Sequence, residues 1–140
     1  MDFRIDLNDL KPDGRFDVIQ ELPELKILDG AHNPSGVEAF FDLLEESYVL
    51  EGIDCYIGFN QNKDFAEMLK IIWMKKNLKV KILQDLTFFN QLKSTTLENY
   101  FISNNQDFTK GTLKEFHLTK QPSILLGSLY LVGEYIKEYR

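Results

Sequence analysis

Residues 26–36 have the sequence KILDGAHNPSG, in which a short apolar run ends in Asp29, a glycine and an alanine before His32. This order predicts a β-strand, a tight loop and a helix that begins near Pro34, with Asn33 as its N-cap. Open α/β sheets bind ligands at the carboxyl ends of their strands, and the N–H groups of a helix start favour anions. We therefore expect Asp29 and His32 to face one ligand pocket.

Apolar runs of strand length alternate with amphipathic segments in the first half of the chain. Positions 37, 40, 41 and 44 are apolar at helical spacing, and so are positions 65, 68, 69, 72 and 73. Strands are predicted at residues 16–19, 25–29, 53–59 and 78–83, with a helix over residues 64–77 that Asp64 caps. This alternation favours an α/β domain with a parallel sheet and right-handed crossovers.

The pattern in the second half is less regular. Residues 97–102 predict a helix with a threonine cap from Thr95 or Thr96, and residues 113–118 favour a helix over a strand. Residues 123–130 predict a buried strand, and residues 133–139 a short terminal helix or tail. Residues 1–14 are polar and broken by a Pro-Asp-Gly run, which predicts an entry linker or edge.

Composition narrows the class of protein. The chain has 140 residues, 44% hydrophobic and 27% charged, which is ordinary for one globular domain. Its net charge of −6 argues against a nucleic-acid or anionic-membrane surface. The single cysteine, Cys55, excludes an internal disulfide. No apolar run approaches the roughly 20 residues of a membrane span, and the N-terminus does not resemble a secretion signal, so we expect a cytoplasmic protein.

Four motifs carry a resemblance to a known family. The segment DGAHNP at residues 29–34 resembles the hallmark of the C-terminal domain of folylpolyglutamate synthase/dihydrofolate synthase, in the Mur ligase superfamily. In the family's order, GRF at residues 14–16 resembles its Pro-Gly-Arg-Phe/Leu-Glu element, and NKD at residues 62–64 its Asp-Lys-Asp. Residues 126–134, LGSLYLVGE, resemble its closing Thr-Gly-Ser-Leu-Tyr-Leu-Val-Gly-Glu. Together they extend over roughly the whole chain, which corresponds to the last third of that enzyme.

The resemblance implies a fold and a reaction. The expected fold is a Rossmann-like three-layer domain, with a mostly parallel sheet flanked by helices, over residues 15–140. The full enzyme uses ATP to activate a carboxylate of folate or pteroate as an acyl phosphate, which the amino group of L-glutamate then attacks. This domain would close over ATP and seat the amino acid. The ATPase domain and its Mg²⁺ ligands are expected outside this chain, which predicts an inactive isolated chain with a surface free to self-associate.

Roles for individual residues follow from the same resemblance. Arg15, Asp29 and Lys63 are expected to bind the nucleotide, with Asp29 accepting hydrogen bonds from the ribose. His32 and Ser128 are expected to bind glutamate. Asn62 departs from the family's first aspartate, which puts any role of that carboxylate in doubt. The competing interpretation makes Asp29 a cap for the following turn, Arg15 a solvated edge residue and Ser128 a partner of local backbone groups.

Several chemistries are excluded by missing motifs. The sequence has no Walker-type Gly-x-x-x-x-Gly-Lys-Ser/Thr loop and no Gly-x-Gly-x-x-Gly dinucleotide fingerprint. It has no Cys/His cluster with metal-ligand spacing and no Gly-x-Ser-x-Gly nucleophile elbow. His117 has no motif around it and is assigned a structural role. Two other interpretations stay open: the C-terminal domain of a Mur peptide ligase, against which residues 126–134 argue, and a non-catalytic module or truncated remnant that keeps the fold.

Overall fold

A computed structural model describes residues 15–61 and 64–139. The predicted entry linker at residues 1–14 and the predicted nucleotide ligand Lys63 lie outside these ranges. The strands are β1 (Asp17–Gln20), β2 (Lys26–Asp29), β3 (Ile53–Ile57), β4 (Leu78–Leu83), β5 (Thr109–Gly111) and β6 (Ser123–Leu126). The helices are α1 (Pro34–Ser47), α2 (Phe65–Trp73), α3 (Ser94–Ser103), α4 (Leu113–Leu118) and α5 (Leu129–Tyr139).

The strands form one six-stranded sheet in the order β1-β2-β6-β3-β4-β5. All neighbours pair in parallel except β1, which is antiparallel to β2 at the edge. Strand β6 comes last in the chain but lies between β2 and β3, so the loops after these three strands meet at one rim of the sheet. The expected mostly parallel α/β fold is confirmed.

Both faces of the sheet are covered by helices, because buried apolar side chains alternate along its central strands. On one face, Ile27, Cys55 and Ile124 pack against apolar residues of α1, α2 and α3. On the other face, their neighbours Leu28, Tyr56 and Leu125 pack with apolar residues of α4 and α5. A strand buried on both sides is apolar at every position, which is why the central strands appear in the sequence as unbroken apolar runs.

The key loop and two helices behave as the sequence predicts. Helix α1 begins at Pro34, and the Asn33 side chain accepts a hydrogen bond from the Gly36 N–H at 2.7 Å. Residues 113–118 do form a helix, α4, which begins after Thr112, whose hydroxyl accepts from the Glu115 N–H. Helix α2 differs from its prediction: Asp64 precedes it as the N-cap residue but makes no side-chain capping bond, and the helix ends at Trp73, short of the predicted residue 77.

Two further sequence predictions are wrong in detail, and one strand was not predicted. Strand β6 ends at Leu126 and α5 begins at Leu129, so residues 129 and 130, predicted as strand, are helical. Helix α3 begins at Ser94 after Lys93, so neither Thr95 nor Thr96 caps it. Strand β5 was not predicted, because only one of its three residues is buried and it has no apolar pattern.

Across residues 15–61 and 64–139, every helix is too short or too polar to traverse a lipid bilayer.

Candidate functional site

Asp29 ends β2 as a nearly buried carboxylate, 3% exposed. Its Oδ1 accepts a hydrogen bond from the Ala31 N–H at 2.8 Å, which closes the loop after the strand. Its Oδ2 accepts from the Phe16 N–H at 2.9 Å. The carboxylate therefore fastens the segment that leads into β1 to the loop that leads into α1.

The environment of Asp29 changes its acidity. Burial raises the pKa of the Asp29 carboxyl to about 6, while the two backbone N–H donors and the charge of Arg15 act in the opposite direction. At neutral pH the group is still mainly ionised. Each carboxylate oxygen has a second lone pair, so Asp29 retains acceptor capacity beyond its two internal bonds. Arg15 is exposed next to it and can contact an anion.

His32 lies half-buried in the same loop. Its Nδ1 is 3.2 Å from the carbonyl oxygen of Gly30. A carbonyl can only accept, so this contact requires the proton on Nδ1 and leaves Nε2 as the acceptor in the neutral ring. For His32 to donate from Nε2 to a carboxylate ligand, its ring must therefore be protonated.

Ser128 lies in the turn between β6 and α5 and is fully buried. Its hydroxyl donates to Asn60 Oδ1 at 2.7 Å and accepts from the Tyr130 N–H at 3.0 Å. The preceding Gly127 has φ of +131°, and a Cβ at that position would collide with the carbonyl oxygen of Gly58. The close backbone approach that the sequence predicts at Gly127 is thus the loop after β3.

The structure brings four of the five predicted site residues to one rim. Asp29 and Ile57 both pair with Leu126 in register, so β2, β6 and β3 end side by side. Arg15, Asp29 and His32 lie around the end of β2, and Ser128 follows the end of β6. The fifth residue, Lys63, lies outside the described residues.

Two features of this rim were missed by the sequence analysis. Asn60 links the loop after β3 to Ser128 through a side-chain hydrogen bond. The only sequence signal for this role is the position of Asn60 in a polar loop. A cavity of about 400 Å³ lies at the carboxyl end of β4 and the N-terminus of α3. Its lining includes Gln84, Lys93, Ser94 and Thr95, and Lys93 makes no side-chain cap on the helix. A larger cavity of about 560 Å³ lies between the C-terminal ends of α1 and α2, and its lining includes none of Arg15, Asp29, His32 and Ser128.

Solved structures with the same architecture include folylpolyglutamate synthases. The enzyme from Thermotoga maritima has a TM-score of 0.65 and 24% identity, with 89% of this chain and 30% of that chain covered. The chain has the fold of part of a folylpolyglutamate synthase. A bifunctional folylpolyglutamate synthase/dihydrofolate synthase from Yersinia pestis, complexed with AMPPNP and Mn ion, has a TM-score of 0.68 at 18% identity, with 90% of this chain and 31% of that chain covered.

A further structure of such a bifunctional synthase, with Mn, AMPPNP and L-glutamate bound, has a TM-score of 0.69 at 20% identity and covers 89% of this chain and 31% of that chain. The chain thus spans about a third of the length of the folylpolyglutamate synthases that it matches. At these identities the likeness establishes the fold, and it confirms the expected resemblance at that level. The sequence matches no protein-family model and no curated protein.

Proposed function

We propose that this chain serves as the C-terminal domain of an ATP-dependent ligase that adds L-glutamate to folate or pteroate. One observation carries the proposal: Asp29 and Ser128, from two family motifs about a hundred positions apart in the sequence, lie at the ends of the adjacent strands β2 and β6. Within this fold, that rim is where open α/β sheets bind ligands. The AMPPNP and L-glutamate of the similar structures agree with the ligand classes proposed.

In the proposed reaction, a folate carboxylate first takes the terminal phosphoryl group of ATP to become an acyl phosphate. The amino group of glutamate then attacks the acyl carbon, and phosphate leaves as the amide bond forms. Mg²⁺ would supply charge neutralisation during phosphoryl transfer. Its ligands are proposed to lie in another domain, as the family resemblance implies.

In this reaction the residues of this chain would bind and orient the nucleotide and the amino acid. Arg15 offers a permanent cation for nucleotide phosphates, and Asp29 has lone pairs left for ribose hydroxyls. Lys63 is proposed as a further nucleotide contact. His32, once protonated, can donate to a glutamate carboxylate. Ser128 must exchange its bond to Asn60 before its hydroxyl can donate to an amino acid, although one lone pair is left to accept from an amino group.

Exposed apolar side chains at the same rim suit a domain that closes against another. Phe89, in the loop after β4, is 86% exposed, and Tyr130, at the start of α5, is 62% exposed. Phe88 stacks on Tyr130 at 6.0 Å between ring centroids. In the proposed ligase these rings would meet the ATPase domain as it closes over ATP.

The decisive experiment titrates ATP, and separately L-glutamate, into the chain by calorimetry. We expect Arg15→Gln to weaken ATP binding about tenfold, the effect of losing a charge-assisted hydrogen bond. Lys79→Gln, at an exposed position of β4, removes the same charge elsewhere and should leave ATP binding unchanged. Equal effects of the two substitutions would contradict the proposed nucleotide site.

The second candidate function is a non-catalytic module that keeps this fold. The hydrogen bonds within the site favour this candidate, because both Asp29 oxygens and the Ser128 hydroxyl already bond to other groups of the chain. If wild-type protein binds neither ATP nor L-glutamate, while its near-ultraviolet circular dichroism shows a folded core, the non-catalytic module becomes the better explanation.

A further inference from the structure

A lysine occupies a core position at the start of β2. Lys26 is only 4% exposed. Two residues further along, Leu28 packs against the layer of α4 and α5, and residues two apart share a face of a strand. Lysine is rarely buried without a paired charge, because removing an ammonium group from water is costly. A lysine at this position therefore calls for a specific partner.

The partner found within the chain is a neutral one. Lys26 Nζ donates to the carbonyl oxygen of Thr119 at 2.6 Å. An ammonium group has three N–H donors. Among the described residues, no carboxylate forms an ion pair with Lys26, although Glu24 lies near enough to favour its charged form. Burial nevertheless lowers the pKa of Lys26, as expected for a cation whose charge is not fully compensated.

A cavity of about 210 Å³ adjoins this lysine. Its lining consists of Ile19, Gln20, Lys26, His117, Tyr135 and Tyr139. Every polar side chain in that set has a donor group, one of which is used in the contact between His117 and Tyr135, and none carries a carboxylate. A water molecule accounts for about 30 Å³ of liquid, so the space is large enough for a phosphate or a small dicarboxylate. Glu24 is not part of the lining and accepts a bond from Gln20 Nε2 at 3.2 Å, and Glu138 and Asp85, whose charges act on Tyr139, are not part of it either.

The aromatic side of the cavity is held in a fixed arrangement. His117 Nδ1 lies 2.9 Å from the hydroxyl of Tyr135, which is 2% exposed. The His117 ring also stacks on Tyr139, with 4.4 Å between centroids. An imidazole fixed in this way presents a hydrogen-bonding ring to an anion at no cost of ordering a flexible side chain.

We propose that Lys26 and His117, the latter positioned by Tyr135, form a binding site for a small oxyanion, a phosphate or a carboxylate, at the edge of the sheet opposite to the candidate ligase site. Lys26 begins β2 whereas Asp29 ends it, so the two sites lie at opposite ends of one strand. The proposal does not depend on the ligase function, because none of its residues belongs to the four family motifs.

The test titrates inorganic phosphate, and separately malonate, into the 140-residue chain at constant ionic strength set with chloride. Binding is followed by calorimetry and by the NMR signals of the His117 ring. We expect the His117 signals to shift with saturation for at least one anion. Lys26→Met, which fills the same space without charge, should weaken that binding about tenfold or more. Lys79→Met, at an exposed position of β4, should leave binding within about twofold of wild type.

The outcomes separate the sources of the anion. Saturation by phosphate alone identifies a phosphate site, saturation by malonate alone a carboxylate site, and saturation by both a general oxyanion site. No saturable shift of His117 with either anion overturns the proposal. Equal weakening by Lys26→Met and Lys79→Met also overturns it, because the effect would then come from net charge. His117→Gln serves as a second variant and should weaken binding while Lys26 is retained.

Discussion

At the scale of single residues, the side chains that hold the rim together are also candidates for binding a ligand. The sequence places Asp29 at a strand end next to a helix start, and local patterns suffice for that prediction. It does not show that Asp29 binds the Phe16 N–H, because this bond depends on the antiparallel pairing of β1 with β2. It also does not show that Ser128 faces Asn60, 68 positions earlier in the sequence. Bonds between distant segments leave no periodic signal.

Asp29 should make stability depend on pH. Its pKa of about 6 in the folded protein exceeds the value of about 4 in an unfolded chain. Its contribution is thus complete below pH 4 and is lost as the pH rises through 6. Relative to Asp29→Asn, which does not titrate, wild type should lose on the order of 3 kcal/mol of unfolding free energy across that window. Urea unfolding between pH 4 and 7 measures the difference.

The exposed acid Glu38 provides the control for that experiment. Glu38→Gln should keep the pH dependence of wild type, because its carboxyl lies on the open side of α1. A stability difference between wild type and Asp29→Asn that stays constant from pH 4 to 7 would show that Asp29 does not carry the shift.

Gly127 and Gly133 form a matched pair for testing the turn after β6. Gly127→Ala should cost about 2–4 kcal/mol, because φ of +131° is strained for any L-residue and the added Cβ meets the Gly58 carbonyl. Gly133 lies inside α5 with open space around it, so Gly133→Ala should gain about 0.5–1 kcal/mol. Thermal or urea unfolding measures both, and a mild effect of Gly127→Ala would refute the close approach.

At the scale of elements, the sequence predicts the helices and strands that have a repeated apolar pattern. It does not predict a boundary that depends on the backbone conformation of one residue. Residues 123–132 form a nearly continuous apolar run, which favours one long strand. Gly127 interrupts it, and the Ser128 hydroxyl accepts from the Tyr130 N–H as α5 begins. Helix α4, with six residues, was predicted from a single apolar pair, and the Thr112 cap stabilises its start.

Glu134 connects two elements that sequence patterns treat separately. From α5 its carboxylate accepts hydrogen bonds from the Thr87 N–H at 2.9 Å and the Phe88 N–H at 3.0 Å. We expect Glu134→Ala to cost about 1–2 kcal/mol and to abolish hydrogen-exchange protection at Thr87 and Phe88, since both amides lose their acceptor. NMR-detected exchange measures this.

The neighbouring Glu138 is the control for this link, because it lies exposed one turn further along α5. Glu138→Ala should leave exchange at Thr87 and Phe88 as it is in wild type. If the two amides exchange as slowly in Glu134→Ala as in wild type, the carboxylate does not hold the loop that carries the exposed Phe89.

At the scale of the whole molecule, the two ends of the parallel strands carry different sets of side chains. The sheet's carboxyl rim carries Asp29, His32 and Ser128 together with the exposed rings of Phe89 and Tyr130. Its amino edge carries Lys26 and the donor-lined cavity. The overall architecture was predictable because three-layer α/β sheets follow from alternating strands and helices. The position of β6 between β2 and β3 was not, because a strand's place in the sheet depends on pairings across the chain.

The last prediction concerns activity. Phosphoryl transfer requires a phosphate cradle, Mg²⁺ and several groups that stabilise charge, and this sequence contains no Walker-type loop. We therefore expect the purified 140-residue chain to form no folate–glutamate product from ATP, folate and L-glutamate, even at high protein concentration. Product is measured by mass spectrometry and released phosphate in parallel, with a full-length folylpolyglutamate synthase as the positive control. ATP-dependent product that disappears in Arg15→Gln would show that the chain itself holds a complete catalytic site.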